Sequence, residues 1–115
     1  MAQFTARLDG QIVGDLDAVL ARLDDSITRS SATAKLVAAE DLVVGGARTA
    51  VRVYERFSMT GGNRLSLTFC LLAVGEEIAL SAVTAGGSQG VLLKLNTFGE
   101  EAFLEKAREA VESLG

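Results

Sequence analysis

Phe4, Ala6 and Leu8 alternate with polar neighbours, the two-residue period of a half-buried strand. The period then lengthens. Leu16, Val19, Leu20, Leu23 and Ile27 follow the i, i+3, i+4, i+7 spacing of one apolar helix face, with Asp15, Asp17, Arg22, Asp24 and Asp25 on the wet side. Asp15 stands near the N-terminus of that helix, where the backbone dipole favours an anion, and Ser30-Ser31 ends it. From residue 32 to residue 85 the period returns to two, which predicts strands over 32–44, 47–58, 64–74 and 77–85. The separators are Gly45-Gly46, Thr60-Gly61-Gly62-Asn63 and Gly75-Glu76. Gly45-Gly46 suits a two-residue turn with both φ angles positive, and Gly75-Glu76 the turn that places glycine first.

A one-residue slip turns every side chain of a strand over, so register can be tested by arithmetic. Gly45 and Gly46 as central turn residues set Ala38 against Val53 and Ala34 against Phe57. Arg56 opposite Arg64 sets Val53 against Leu67 and Val51 against Phe69. Gly75-Glu76 sets Leu71 against Leu80 and Ala73 against Ile78. These pairings gather apolar residues on one shared face and predict a four-stranded antiparallel meander.

The C-terminal segment reads as a helix. Thr97-Phe98-Gly99-Glu100 fits a capping box, and Phe103, Ala107, Ala110 and Leu114 form a face broadened by Leu104 and Val111. Residues 91–96 fit a sixth strand or a short helix, with a lean to helix because Val91, Leu92, Leu95 and Phe98 share a side. The order β-α-β-β-β-β-α implies an α+β fold, a single domain over residues 1–115. Its expected form is a curved antiparallel sheet of about five strands with two helices packed on one face, a helix-grip-like arrangement.

Composition narrows the function classes. The chain has 115 residues, a formal net charge of −4, 49% hydrophobic and 23% charged residues, and no histidine or proline. That is a globular composition rather than a disordered one. The acidic balance argues against nucleic acid as a partner. No apolar run approaches the ~20 residues of a membrane span, and the N-terminus lacks a signal-peptide layout, so a cytoplasmic protein is expected. The lone Cys70 excludes an internal disulfide and a multi-cysteine metal site.

On the predicted register the second sheet face, away from the helices, carries Arg48, Ala50, Arg52, Tyr54 and Arg56, then Arg64, Ser66, Thr68, Cys70 and Leu72, then Ala79, Ser81 and Val83. Successive arginines on the first of these strands would stand roughly 13 Å apart. Three readings compete. The arginines are solvated or paired with acids such as Glu40 and Asp41. A second copy of the chain covers the face, since small residues permit close approach and arginine is common at interfaces. Or the face binds an acidic ligand, held bidentately by arginine with the Tyr54 hydroxyl assisting.

Gly86-Gly87-Ser88-Gln89-Gly90, with Lys94 four residues beyond, offers a second anion-binding candidate if a helix starts near Ser88. It is neither a Walker loop nor a dinucleotide fingerprint, and a glycine-rich turn is the commoner explanation. Cys70, mid-strand in an apolar run and without any histidine to activate it, reads as an inert, partly buried thiol. Glu76-Glu77 and Glu100-Glu101 suit turn solubility and helix capping. No spaced acidic loop for Mg²⁺ or Ca²⁺ is present.

Two blocks, Arg52-Val53-Tyr54-Glu55-Arg56-Phe57-Ser58 and Gly61-Gly62-Asn63-Arg64, carry a resemblance. Gly86-Gly87-Ser88-Gln89 and the run from Lys94-Leu95-Asn96-Thr97 through Leu104 extend it over the second half of the chain, and the N-terminal half matches in layout. The sequence resembles an uncharacterised family of small bacterial proteins known only as a domain of unknown function. That resemblance brings no activity, cofactor or catalytic residue with it.

The expectation is a non-catalytic binding or interaction module, self-associating through its sheet as a homo-oligomer, with no cofactor. The alternative is a small-molecule carrier for an acidic or amphipathic ligand. Its candidate contacts are Arg48, Arg52, Tyr54, Arg56 and Arg64, with Ser88 and Lys94 in the second site. An enzyme ranks last, because the commonest general base is missing.

Overall fold

A computed structural model describes residues 2–57, 63–86 and 93–115, with 93–98 described by backbone alone. The chain runs β1 (Ala2–Asp9), α1 (Gly10–Val13), α2 (Leu16–Arg29), β2 (Lys35–Val44), β3 (Ala47–Phe57), β4 (Arg64–Val74), β5 (Glu77–Gly86) and α3 (Leu93–Glu112). The strands form one antiparallel sheet in the order β1-β5-β4-β3-β2. The class is α+β, as expected, with β1 on the edge beside β5 and β4 in the centre. The chain therefore crosses the whole helix layer between β1 and β2, at opposite edges.

The helices form as their periodicity requires. Leu16, Val19, Leu20, Leu23 and Ile27 of α2 are buried, and Asp15 Oδ1 accepts the Ala18 amide at 2.9 Å as N-cap. On α3 and just beyond it, Phe103, Leu104, Ala107, Ala110, Val111 and Leu114 are buried. Their targets are Leu65, Leu67, Phe69 and Leu71 of β4 and Ile78, Leu80 and Ala82 of β5, all in the same core. Burying a side chain of this size contributes about 1.5–3 kcal/mol. Arg22 of α2 donates to the Ser113 and Leu114 carbonyls at 2.8 and 3.2 Å, so one helix caps the end of the other. Buried Thr84 Oγ1 donates to the Glu100 carbonyl at 3.0 Å and ties β5 to α3.

Several expectations are corrected. An extra short helix, α1, follows β1, begun by Asp9, whose Oδ1 accepts the Gln11 amide at 2.9 Å. Thr97 lies inside α3, which begins at Leu93, so it is not the N-cap. The helical reading holds from residue 93 of the ambiguous segment. In the first hairpin turn only Gly45 has positive φ (57°), and Gly75 (58°) plays the same part in the last. Both are turns with glycine first.

Registers differ in an instructive way. Ala38 faces Val53 as expected, but a bulge between Leu36 and Ala38 moves the pairing on, so Lys35 faces Glu55 and the expected Ala34–Phe57 pair is not formed. Leu71 faces Leu80 and Ala73 faces Ile78 as expected. Between β3 and β4 the register is one residue from the expected one: Arg64 faces Phe57, Leu67 faces Tyr54, and Phe69 faces Arg52. That single residue turns β3 over. Val51 and Val53 face outward with Cys70 and Thr68, while Arg48, Ala50, Arg52, Tyr54 and Arg56 lie on the helix side.

Both faces of β3 offer apolar surface, so alternation alone does not choose between them. Ala50 and the ring of Tyr54 pack tightly inside, and arginine stems are themselves apolar. The helix layer also supplies Asp17 to Arg48 and the Phe103 ring to Arg56.

Candidate interaction surface

The arginines expected on one open face are divided between the two faces of the sheet. Arg48 Nη2 donates to Asp17 Oδ1 of α2 at 2.8 Å and to Asp41 Oδ1 of β2 at 3.4 Å. Arg52 Nη2 lies 3.2 Å from Asp41 Oδ2, and its Nη1 donates to the Val51 and Glu40 carbonyls at 2.9 and 3.3 Å. The hydrogen bond and charge of Arg48 hold the Asp17 carboxyl below its ordinary range, and the same bond raises Arg48. Of the two acids expected to answer the arginines, Asp41 does so, whereas Glu40 gives only its carbonyl.

Tyr54 is fully buried, edge-on to Phe69 with ring centroids 6.2 Å apart. Its hydroxyl donates to Asp24 Oδ1 at 2.7 Å. Burial first, then that bond and the Asp24 charge, push the phenol well above its ordinary pKa. Arg56 lies with its guanidinium carbon 4.4 Å from the Phe103 ring centroid, beneath α3. Among the described residues its buried Nε has no hydrogen-bond partner, and burial lowers its pKa.

Arg64 is on the other face, exposed, 3.3 Å from Glu55 and over the Phe57 ring. Ser88 lies outside the described residues, as does most of the glycine loop. Lys94 falls in the first turn of α3, with only its backbone described.

Asp17 and Asp24, the two partners missed in the sequence, sit on the wet side of α2. Their signal was present as an acidic stripe, but only the turned-over β3 brings it against arginine and tyrosine.

The open face is left with an unusual composition. Hydrogen-bonded neighbours share a face, so the registers define rows across it. One row is Gln3–Val83–Thr68–Val53–Ala38, the next Thr5–Ser81–Cys70–Val51–Glu40, and the next Arg7–Ala79–Leu72–Thr49–Leu42. Within these three rows the charges are Arg7 at the β1 edge and Glu40 at the β2 edge. Leu42, Val44, Leu72 and Val74 are exposed large apolar residues of this face. Cys70, expected to be partly buried, is exposed at its centre. A shallow hollow of about 550 Å³ opens over β1, β5 and β4, lined by Thr5, Arg7, Cys70, Leu72, Ala79 and Ser81 among others. All ten positions of β2, at the sheet edge, are exposed.

No helix of the described residues is long and apolar enough to cross a membrane. Among those residues no three His, Cys, Asp or Glu side chains gather as metal ligands would.

Fold and surface together define a small α+β domain with its helices on one face of the sheet and an uncharged stretch of the other face left uncovered by the described residues. The chain belongs to the family of unknown function DUF6054, which matches residues 1–115. A comparison with curated proteins finds no match.

Proposed function

We propose that the chain is a non-catalytic interaction module that self-associates through the open face of its sheet. One observation carries this reading: three successive cross-strand rows with charges only at their two ends, on a face that none of the described helices covers. Solvated sheet faces alternate apolar-in and polar-out, whereas β3 puts its valines outside and its arginines inside. The three rows at ~6.6 Å across five strands at ~4.8 Å cover about 480 Å², over half of the roughly 800 Å² each partner contributes to a standard interface. Small central side chains permit sheets to approach to about 10 Å. A cytoplasmic setting fits a chain whose single thiol is exposed and has no partner cysteine.

Light scattering of the purified chain at high micromolar concentration tests the reading. The expected mass is twice the 12.0 kDa of one chain. A strict monomer overturns it.

The carrier reading keeps one favourable observation, the buried Arg56 Nε without a partner among the described residues. Arg48 and Arg52 already have carboxylate partners, and the Arg56 guanidinium is packed against the Phe103 ring. A thermal-shift screen of phosphates, carboxylates and fatty acids decides. A carrier with its ligand present at 100 times the dissociation constant gains about 2.7 kcal/mol, and no response removes the idea.

A further inference from the structure

We propose that two copies pack face to face about a twofold axis parallel to the strands and running along β4, so that Arg7 of each copy meets the Glu40 edge of the other. This deepens, and rests on, the reading of the open face as the self-association surface. Of the twofold axes in the plane between the sheets, two bring identical faces together with their strands aligned. An axis across the strands lays β1 over β1 and β2 over β2. It sets the two Glu40 carboxylates near one another and gathers the two Arg7 side chains at the opposite edge. An axis along the strands lays β1 over β2 and β5 over β3, because β4 is central in the order β1-β5-β4-β3-β2.

Charge favours the second arrangement. Arg7 and Glu40 stand at opposite edges in adjacent rows, which are about 6.6 Å apart along the strand, within the joint reach of the two side chains. Neither makes an ion pair among the described residues. The lengthwise axis gives both a partner of opposite sign, twice over by symmetry.

Relief favours it too. The hollow lies over β1, β5 and β4, where Thr5, Ala79 and Ser81 are small. The β3–β2 half of the same face carries Val51, Val53 and Leu42. Rotation about β4 lowers the bulkier half of one copy onto the hollow of the other. Packing each half on itself would leave the hollows facing each other, without the contacts that close packing supplies.

The test is charge reversal at the two exposed edge positions, Arg7→Glu and Glu40→Arg, with dissociation constants measured by analytical ultracentrifugation at low salt. Each variant alone turns two attractive pairs into two repulsive ones, and about tenfold weaker homodimerisation is expected. Mixing the two variants restores attraction at both pairs, so a heterodimer of about wild-type affinity is expected, as it is for the R7E/E40R homodimer. Thermal melts of the variants should match wild type, because both residues are exposed. If wild type dimerises and neither single variant weakens it, the lengthwise axis is wrong while the open-face reading stands. If wild type is monomeric, the open-face reading itself fails.

Discussion

The two faces of β3 differ in a way that inverts the usual rule for a half-covered sheet. The covered face holds Arg48, Arg52 and Arg56, and the uncovered face holds Thr49, Val51 and Val53. On the covered side each charge finds something that suits it. Asp17 and Asp41 answer the first two arginines, and the Phe103 ring takes the third. On the uncovered side nothing among the described residues packs over the valines. Burial of charge is tolerated where geometry supplies partners, and exposure of apolar surface in one contiguous patch marks a surface awaiting a partner.

The largest effect is expected on the covered side. Phe103→Ala removes a fully buried ring and the support beneath Arg56. A loss of about 3–5 kcal/mol in chemical denaturation is expected. Val51→Arg, on the uncovered side of the same strand, is expected to abolish association in light scattering while shifting the stability of the dilute monomer by less than ~0.5 kcal/mol. A large loss of monomer stability there would mean that the valine face is packed within one chain.

Tyr54→Phe removes the bond to Asp24 and is expected to cost about 1 kcal/mol. The folded phenol is shifted upward, so the stability it lends is complete below pH 10.0, the ordinary phenol value, and lost as pH rises through the folded value. The variant should lack that alkaline decline. The smallest effect belongs to Asp17→Asn. The Asp17 carboxyl is shifted downward, so its contribution is present above pH 3.8 and lost as pH falls through the folded value. Wild type should lose its small advantage over the variant in acid unfolding below about pH 4.

Much of the fold was legible because it rests on strong local periodicity. The faces of α2 and α3, the β4–β5 hairpin and the alternation of Phe4, Ala6 and Leu8 all follow from spacing. The candidate site was not legible, and the reason lies in β3. Ala50 and Tyr54 compete evenly with Val51 and Val53 for the core, and arginine counts as polar in any pattern although most of its length is apolar. What tips the balance is Asp17, 31 residues before Arg48, and Asp24, 30 before Tyr54. Such long-range partners leave no mark in local alternation. The bulge after Leu36 was equally silent, since one extra residue between regular stretches changes neither composition nor period.

The most direct test uses the chain's single thiol, which stands in the middle row of the open face on the central strand. Labelling of Cys70 by an aromatic disulfide should be rapid in dilute solution and slow markedly as concentration rises, because association covers that row. Equal labelling rates across a concentration range in which the chain associates would show that the copies meet elsewhere, and would contradict the account.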